Sequence, residues 1–581
     1  MRALPRFIIA GIILCCISSA VYYWQLHDSP MLSSANSVAP QPRELDAPVP
    51  TAPETLLLPS SGVSKSSAEL PGIAAFDVWQ IRYFEASASE QANLLAEGLA
   101  LAKARRPVML DLIKNNPAEA IAQAVPREVY NKLPELILQE LETPLAARAE
   151  LALIQTCFHP EGSPAGHSHD TYRATVIDGQ EYRAHVYGSR LIQASIPETS
   201  LYGYALDGHL AVADARVRFV SEGEPLPAEI EQAVQAGGIA VEANGAFYVF
   251  ESEQVAIDFA TELQVTERRP VTNAADSGSG SSGVSGRPAQ AWTHGDKSLL
   301  VILVDFSDVP GAPVNKSGSV EITPTVMNTV INGSGEVRSF LQNSSFGKTD
   351  VLFDSSTDVT GVLRMPNTAS SYATADAATL LHSDARDAAD AAGYSTSNYD
   401  RVAVVFSSLS SLTDSQFTFA GLANITGSNI WINGYFDFRV MAHELGHTYG
   451  LRHSNLWQVS GSDPVDLAGS STEYGDPFDL MGDGDFVEND FSHWNKSLLQ
   501  WIPDTAVRVV TSDETIRVYR FDDSGADLNL TRAVKVVRDP TRDYWIGYRR
   551  GLSSSATDNG AYVLWGYNTL TQGNLLDLTT P

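Results

Sequence analysis

Cysteine is almost absent, with three in 581 residues. Cys15 and Cys16 lie together in an N-terminal apolar run, which leaves Cys157 alone in the rest. No intrachain disulfide framework is available to the soluble part, so stability has to come from large cores or bound ions. Basic residues are scarce too: 39 Lys and Arg stand against 69 Asp and Glu, a net charge of −30. That balance excludes a nucleic-acid partner, because phosphate binding needs a basic face. It leaves a well-solvated acidic surface, open to cationic partners or calcium. What is present in quantity is apolar material, 44% of the chain, enough for ordinary cores in several domains.

The chain opens MRALPRFIIAGIILCCISSAVYYW. A basic start, an apolar middle and small residues such as Ser18 and Ala20 make an export signal. The run is also just long enough to span a bilayer uncleaved, so residues 1–27 are a signal peptide or a membrane anchor. This is the only membrane contact expected. Residues 28–72 are rich in Ser, Pro and Ala and read as a flexible linker. Residues 73–160 turn helical: SEQANLLAEGLALAKARR, PAEAIAQAV and PELILQELETPLAARAELALIQ carry apolar residues at three- and four-residue spacing. Residues 161–270 are mixed α/β. YRATVIDGQEYRAHVYG alternates around an Asp-Gly turn as a hairpin, and short helices are expected near 229–234 and 253–263. A Gly/Ser linker, 271–293, marks the clearest boundary.

Beyond it, KSLLVILVDFSD and YDRVAVVFSS read as strands buried on both faces, with helices near 337–342 and 375–392 and a short strand at SNIWING. Strands alternating with helices argue for an α/β core over 294–504. Residues 505–581 read as short strands and turns, a β-rich extension. Its last stretch, NLLDLTTP, lacks a cap or polar tail, as an incomplete C-terminus would. The fold class expected is therefore multidomain α+β.

HELGHTYGLRH, residues 443–453, gathers three histidines and a glutamate among small, apolar and turn-forming residues. Asp437 is placed to cap a helix running through Arg439, Val440 and Met441 into this stretch. Four residues apart on that helix, His443 and His447 project from one face and can meet one small ion. Glu444 projects beside them, able to reach a water on the ion without ligating it. Gly446 costs about 1 kcal/mol against Ala inside a helix, which signals a close backbone approach. Gly450 can stop the helix in a left-handed conformation and let the chain bring His453 back to the ion. Three neutral imidazoles plus a water make an open tetrahedral zinc site of the catalytic type. Such a site acidifies the water and polarises a carbonyl, with Glu444 as general base. Surface histidines at a helix end are the alternative; the third histidine, both glycines and Met481 in the turn-rich YGDPFDLMGDGDF oppose it.

HELGHTYGLRH followed by DLMG resembles the metzincin clan of zinc endopeptidases, HExxHxxGxxH with a methionine turn beneath the metal. Within the clan the details are similar to the gametolysin-like peptidases: SFLQNSSFGK, SNIWING, HELGHTYGLRHSN, YGDPFDLMG, FSHWNKSLLQWI and LLDLTTP. The resemblance covers about Lys297 to the C-terminus. It implies His443, His447 and His453 as zinc ligands, Glu444 as general base and Met481 as the structural floor. Some metzincins add a tyrosine ligand two residues after the methionine; Asp483 stands there, so none is expected. SNIWING is expected near the edge strand on which an extended peptide pairs, with ordinary core packing the alternative for Trp431. Action on cell-wall and matrix glycoproteins rests on the resemblance alone.

Other signals are weaker. The Cys157 thiolate can hold a zinc site latent, or be an inert buried thiol. His159, His167 and His169 form a second metal cluster or a solvated loop. DGDFVEND, 483–490, offers carboxylates to Ca2+, or is an acidic surface turn. His493 reads as structural. ERRPVTNAADSGSGSS exposes cleavage points for removing a pro-region, though Pro270 hinders cutting after Arg269. Together these describe an exported zinc endopeptidase zymogen, secreted or held at the cell surface or in the periplasm, acting on extended polypeptides of extracellular proteins or glycoproteins. A surface adhesin with a non-catalytic peptidase-like domain is the alternative from another class, and an amidase of peptidoglycan cross-links the alternative among hydrolases. The sequence does not bear on oligomeric state.

Overall fold

The computed structural model describes residues 70–157, 171–268, 287–316, 319–461, 463–466, 468–484, 489–539, 542–551, 560–567 and 573–576. The export segment and its linker, His159, His167 and His169, most of the 271–293 linker, 485–488 of the acidic run and the last five residues lie outside them.

The chain enters as two long helices, Pro71–Glu85 and Ala88–Asn115. The second starts in a capping box, in which the Ser87 and Glu90 side chains each serve the other's backbone N–H. A third helix, Pro117–Gln123, follows. The run PELILQELETPLAARAELALIQ then departs from its helical expectation. It gives one helical turn, Glu135–Leu138, and then a fifteen-residue strand, β1, Thr143–Cys157. Ala/Leu-rich runs satisfy helical and alternating patterns at once, and here Pro144 and long-range pairing decide for the strand. Along β1, Leu145, Ala147, Ala149 and Leu151 share one side and pack with Leu201, Leu210 and Val212.

β2 (Thr171–Ile177) and β3 (Gln180–His185) form the expected hairpin. Asp178 and Gly179 between them have φ of 52° and 74°, as a two-residue turn of this twist requires. With β4 (Ile196–Leu206) and β5 (His209–Val212) the pairings close on themselves. β1 pairs with β2 through 152–155 and with β4 through 143–151, so β1-β2-β3-β5-β4 returns to β1 across a bulge between Ala149 and Leu151. A small sheet of β6 (Arg218–Phe219), β7 (Ile239–Ala243) and β8 (Ala246–Phe250) carries helices Ala228–Gln235 and Glu253–Arg268, close to where they are expected.

The α/β core begins with β9 (Gly295–Asp305). β10 (Val314–Asn315) and β11 (Val320–Glu321) make a small hairpin. β12 (Thr349–Leu352), β13 (Leu363–Arg364), β14 (Arg401–Phe406), β15 (Gly421–Asn424) and β16 (Asn429–Asn433) follow. The order is β12-β9-β14-β16-β15; the first four are parallel and β15 is antiparallel. β9 is apolar on both faces because both are covered. Leu299, Val301 and Leu303 meet the core containing Val440 and Leu445 of the motif helix. Leu300, Ile302 and Val304 meet Leu381, Ala385 and Ala389 of helix Ala378–Ala391. Trp431 is buried in that second core and donates to the Ala378 carbonyl at 2.6 Å, so its side chain packs in the interior.

The outer edge of β15 is taken by β1. Residues 154–157 run antiparallel to 424–421, with Thr156 opposite Leu422 and Cys157 opposite Gly421. The N-terminal strands and the core sheet thereby form one eleven-stranded sheet.

After the motif come β17 (Ser454–Gln458), β18 (Ser470–Thr472), helix His493–Leu498, β19 (Val507–Val510), β20 (Ala533–Asp539), β21 (Arg542–Gly547), β22 (Tyr562–Tyr567) and β23 (Gly573–Leu576). They form a seven-stranded sheet, in which β17 pairs parallel with β23. The expected boundary after 504 therefore cuts through a sheet, and the one at 160 cuts between β1 and its partners. Pairing partners distant in sequence leave no trace in local composition. Among the described residues, no helix is long and apolar enough to cross a membrane.

Candidate metal centre

The motif helix is Phe438–Tyr449, and the Asp437 carboxylate caps it by accepting from the Val440 N–H at 2.9 Å. His443 and His447 project one turn apart with their Nε2 atoms 3.1 Å from each other. The helix stops at Gly450, whose φ is 121°. A β-carbon there would also meet Pro288 and Thr426. The reversal is fixed by Leu451, whose N–H donates to the Gly446 carbonyl at 3.0 Å. It brings His453 back, its ring 5.4 Å from that of His443 and 5.0 Å from that of His447. All three are buried, and one nitrogen from each lies within 4.8 Å of the others.

Each ring is held by its outer nitrogen. Nδ1 of His443 lies 2.8 Å from the Leu480 carbonyl, and Nδ1 of His447 is 2.8 Å from the Leu451 carbonyl. Nδ1 of His453 is 2.6 Å from Oε1 of Glu473. These acceptors direct the Nε2 atoms inward, as partners behind metal-bound imidazoles do. Burial, with nearby cations and neighbouring imidazoles adding to it, holds His443 and His447 well below the usual histidine range. Neutral imidazoles are what a zinc ion binds. The donor set, the fixed outer nitrogens and the burial fit Zn2+.

Met481 lies under the helix. A β-carbon on Gly446 would reach the Met481 sulfur at 2.5 Å, which is the close approach expected at that glycine. The same turn supplies the Leu480 carbonyl to His443, and Met481 O accepts from the Ser454 N–H at 2.9 Å. Beneath it, burial and then the neighbouring Asp479 push the Asp476 carboxyl up to about 7. Glu444 is buried beside the histidines and fills the space that a side chain on Gly421 of β15 would need.

The remaining expectations divide. At Asp483 the structure has a turn residue whose N–H donates to the Asp476 carbonyl at 2.9 Å. A tyrosine nevertheless stands at the site. The Tyr474 ring lies 3.8 Å from that of His453, and its hydroxyl donates to the Thr156 carbonyl at 2.9 Å. His493 is buried against Phe521 and Tyr562, and burial lowers it to about 3. In the acidic run, Asp490 pairs with buried Lys496. Only the backbone of Cys157 is described, opposite Gly421. The sequence reading gives Gln155, Glu473, Tyr474 and Gly421 no role at the site. YGDPFDLMG carried Tyr474 only as a matching piece, and nothing local marks Gln155.

A helix with two facing imidazoles, a glycine reversal returning a third, and a methionine beneath them make a candidate metal centre of three buried histidines. Residues 298–515 match the family model described as gametolysin peptidase M11. Over these residues the chain matches a metzincin-type zinc peptidase family. Comparison with curated proteins and with solved structures gave no match.

Proposed function

We propose that the protein is an exported zinc endopeptidase, made latent, that hydrolyses peptide bonds of extracellular proteins or glycoproteins. The observation that supports this most directly is the convergence of His443, His447 and His453 beside buried Glu444. The three histidines would hold Zn2+, which supplies charge stabilisation and an acidified water. Glu444 takes the water's proton as the oxygen adds to the scissile carbonyl carbon, then gives it to the departing amine nitrogen as the C–N bond breaks.

An extended substrate adds as a strand on β15, the antiparallel edge beside Glu444. β1 occupies that edge, and Gln155 reaches the outer nitrogen of His453 at 2.9 Å. Latency follows from that pairing, and release follows a cut within 267–282, the stretch ERRPVTNAADSGSGSS. The test is hydrolysis of casein by the purified full chain, before and after limited proteolysis, with chelator and with zinc restored. Activity should appear on nicking, vanish on chelation and return with zinc. Absence of hydrolysis in every state would favour the non-catalytic adhesin.

A further inference from the structure

We infer that the Tyr474 hydroxyl is the group that binds the carbonyl oxygen of the bond to be cut; this rests on the peptidase reading. The strand lying in the site shows the contact. Thr156 and Cys157 of β1 run antiparallel along β15 opposite Leu422 and Gly421, as an added peptide would. Gly421 in turn lies against the Glu444 carboxylate. The Thr156–Cys157 peptide bond therefore sits beside the residue that handles the water's proton. Its carbonyl oxygen accepts from Tyr474 at 2.9 Å.

Tyr474 is held to that position. Its ring packs on His453 with centroids 3.8 Å apart and lies 5.9 Å from that of His443. Its N–H donates to Asn455 Oδ1 at 3.2 Å. Its φ is 58°, a left-handed conformation uncommon for an aromatic residue. The preceding residue, Glu473, fixes the outer nitrogen of His453. One turn thus orients an imidazole with one side chain and presents a hydroxyl donor with the next.

In the reaction, water oxygen bonds to the carbonyl carbon and its proton passes to Glu444. The C=O electron pair moves onto the carbonyl oxygen, where the Tyr474 O–H donates to the growing charge. The C–N bond then breaks, its electrons staying on nitrogen, which takes the proton from Glu444. Tyr474 keeps its own proton throughout. With β1 in place, the same hydroxyl holds the Thr156 carbonyl.

The test compares wild type with Tyr474→Phe, which keeps the ring, in zinc-loaded full chain processed as the wild type is. Turnover of an unstructured peptide should fall about 100-fold in kcat, with KM within about twofold and zinc content unchanged. In the unprocessed chain, amide exchange at the β1–β15 pairing should speed up about fivefold as the Thr156 bond is lost. A Tyr474→Phe enzyme as fast as an active wild type overturns the assignment and leaves the peptidase reading standing. Loss of zinc in the variant also overturns it, since the hydroxyl would then serve to hold the metal site together and not to bind the carbonyl oxygen. A processed wild type without activity overturns both.

Discussion

Gln155 of β1 stands 2.9 Å from Nδ1 of His453, and its amide lies 3.3 Å from Oε1 of Glu473. A residue nearly 300 positions upstream of His453 thus shares the outer nitrogen of that imidazole with the Glu473 carboxylate. Gln155→Glu would set a buried carboxylate against the half-buried Glu473, and like charges so placed repel and weaken the docking of β1. The unprocessed variant should hydrolyse a fluorogenic peptide at least about tenfold faster than the unprocessed wild type, with zinc retained. An unprocessed Gln155→Glu chain as silent as the wild type would show that β1 is not the latch.

Glu444→Gln keeps the side chain's volume beside Gly421 but removes the proton acceptor. General-base catalysis contributes typically 10²–10⁴-fold. Turnover should fall by about that factor while zinc stoichiometry stays that of the wild type. Metal analysis beside kinetics checks both, and full activity in this variant would remove Glu444 from its role.

Much of this centre is legible because its information is local. Asp437, His443, His447, Gly450 and His453 lie on one helix and its reversal, where spacing converts directly into geometry. The parallel strands of the core are legible for a similar reason, since burial on both faces leaves continuous apolar runs at β9 and β14. What escapes is whatever depends on partners far away. β1 satisfies a helical pattern as well as a strand pattern, and only β4, β2 and β15 decide between them. Tyr474 acts beside His453 across a turn, and Gln155 reaches it from another region of the chain. Neither belongs to a spaced motif.

Gly421 marks the point where β15 meets Glu444. A β-carbon there would collide with the Glu444 carboxylate and with Val440. Gly421→Ala must displace both, and overpacking of this kind costs typically about 1–3 kcal/mol. Calorimetry should show the unfolding temperature lowered by several degrees. Turnover should fall further than stability alone explains, because one of the groups displaced is the proposed base. A Gly421→Ala enzyme with wild-type turnover would mean that Glu444 moves without loss, against its assigned place.

Docking of the N-terminal strands carries its own pH dependence. Glu150 of β1 accepts from Asn424 Nδ2 at 2.7 Å and Asn429 Nδ2 at 3.2 Å; burial raises its carboxyl to about 7 against the pull of Arg386. Glu181 of β3 accepts from the Leu380 N–H at 2.8 Å; burial raises it to about 8, with Asp376 adding to the rise and Arg183 opposing it. Released into water, both carboxyls return toward the ordinary 4.5. Below that pH both are neutral in either state, and docking is undiminished. Between it and about 7 to 8 the docked form keeps protons that the released form has lost, so rising pH favours release. After nicking within 267–282, more of the N-terminal fragment should separate on size exclusion at roughly pH 8 than at roughly pH 5. Glu150→Gln, neutral at every pH, should flatten the lower part of that rise and retain more fragment above neutrality. Separation that increases toward acid, or a Glu150→Gln profile identical to the wild type, would remove these carboxyls from the control of docking.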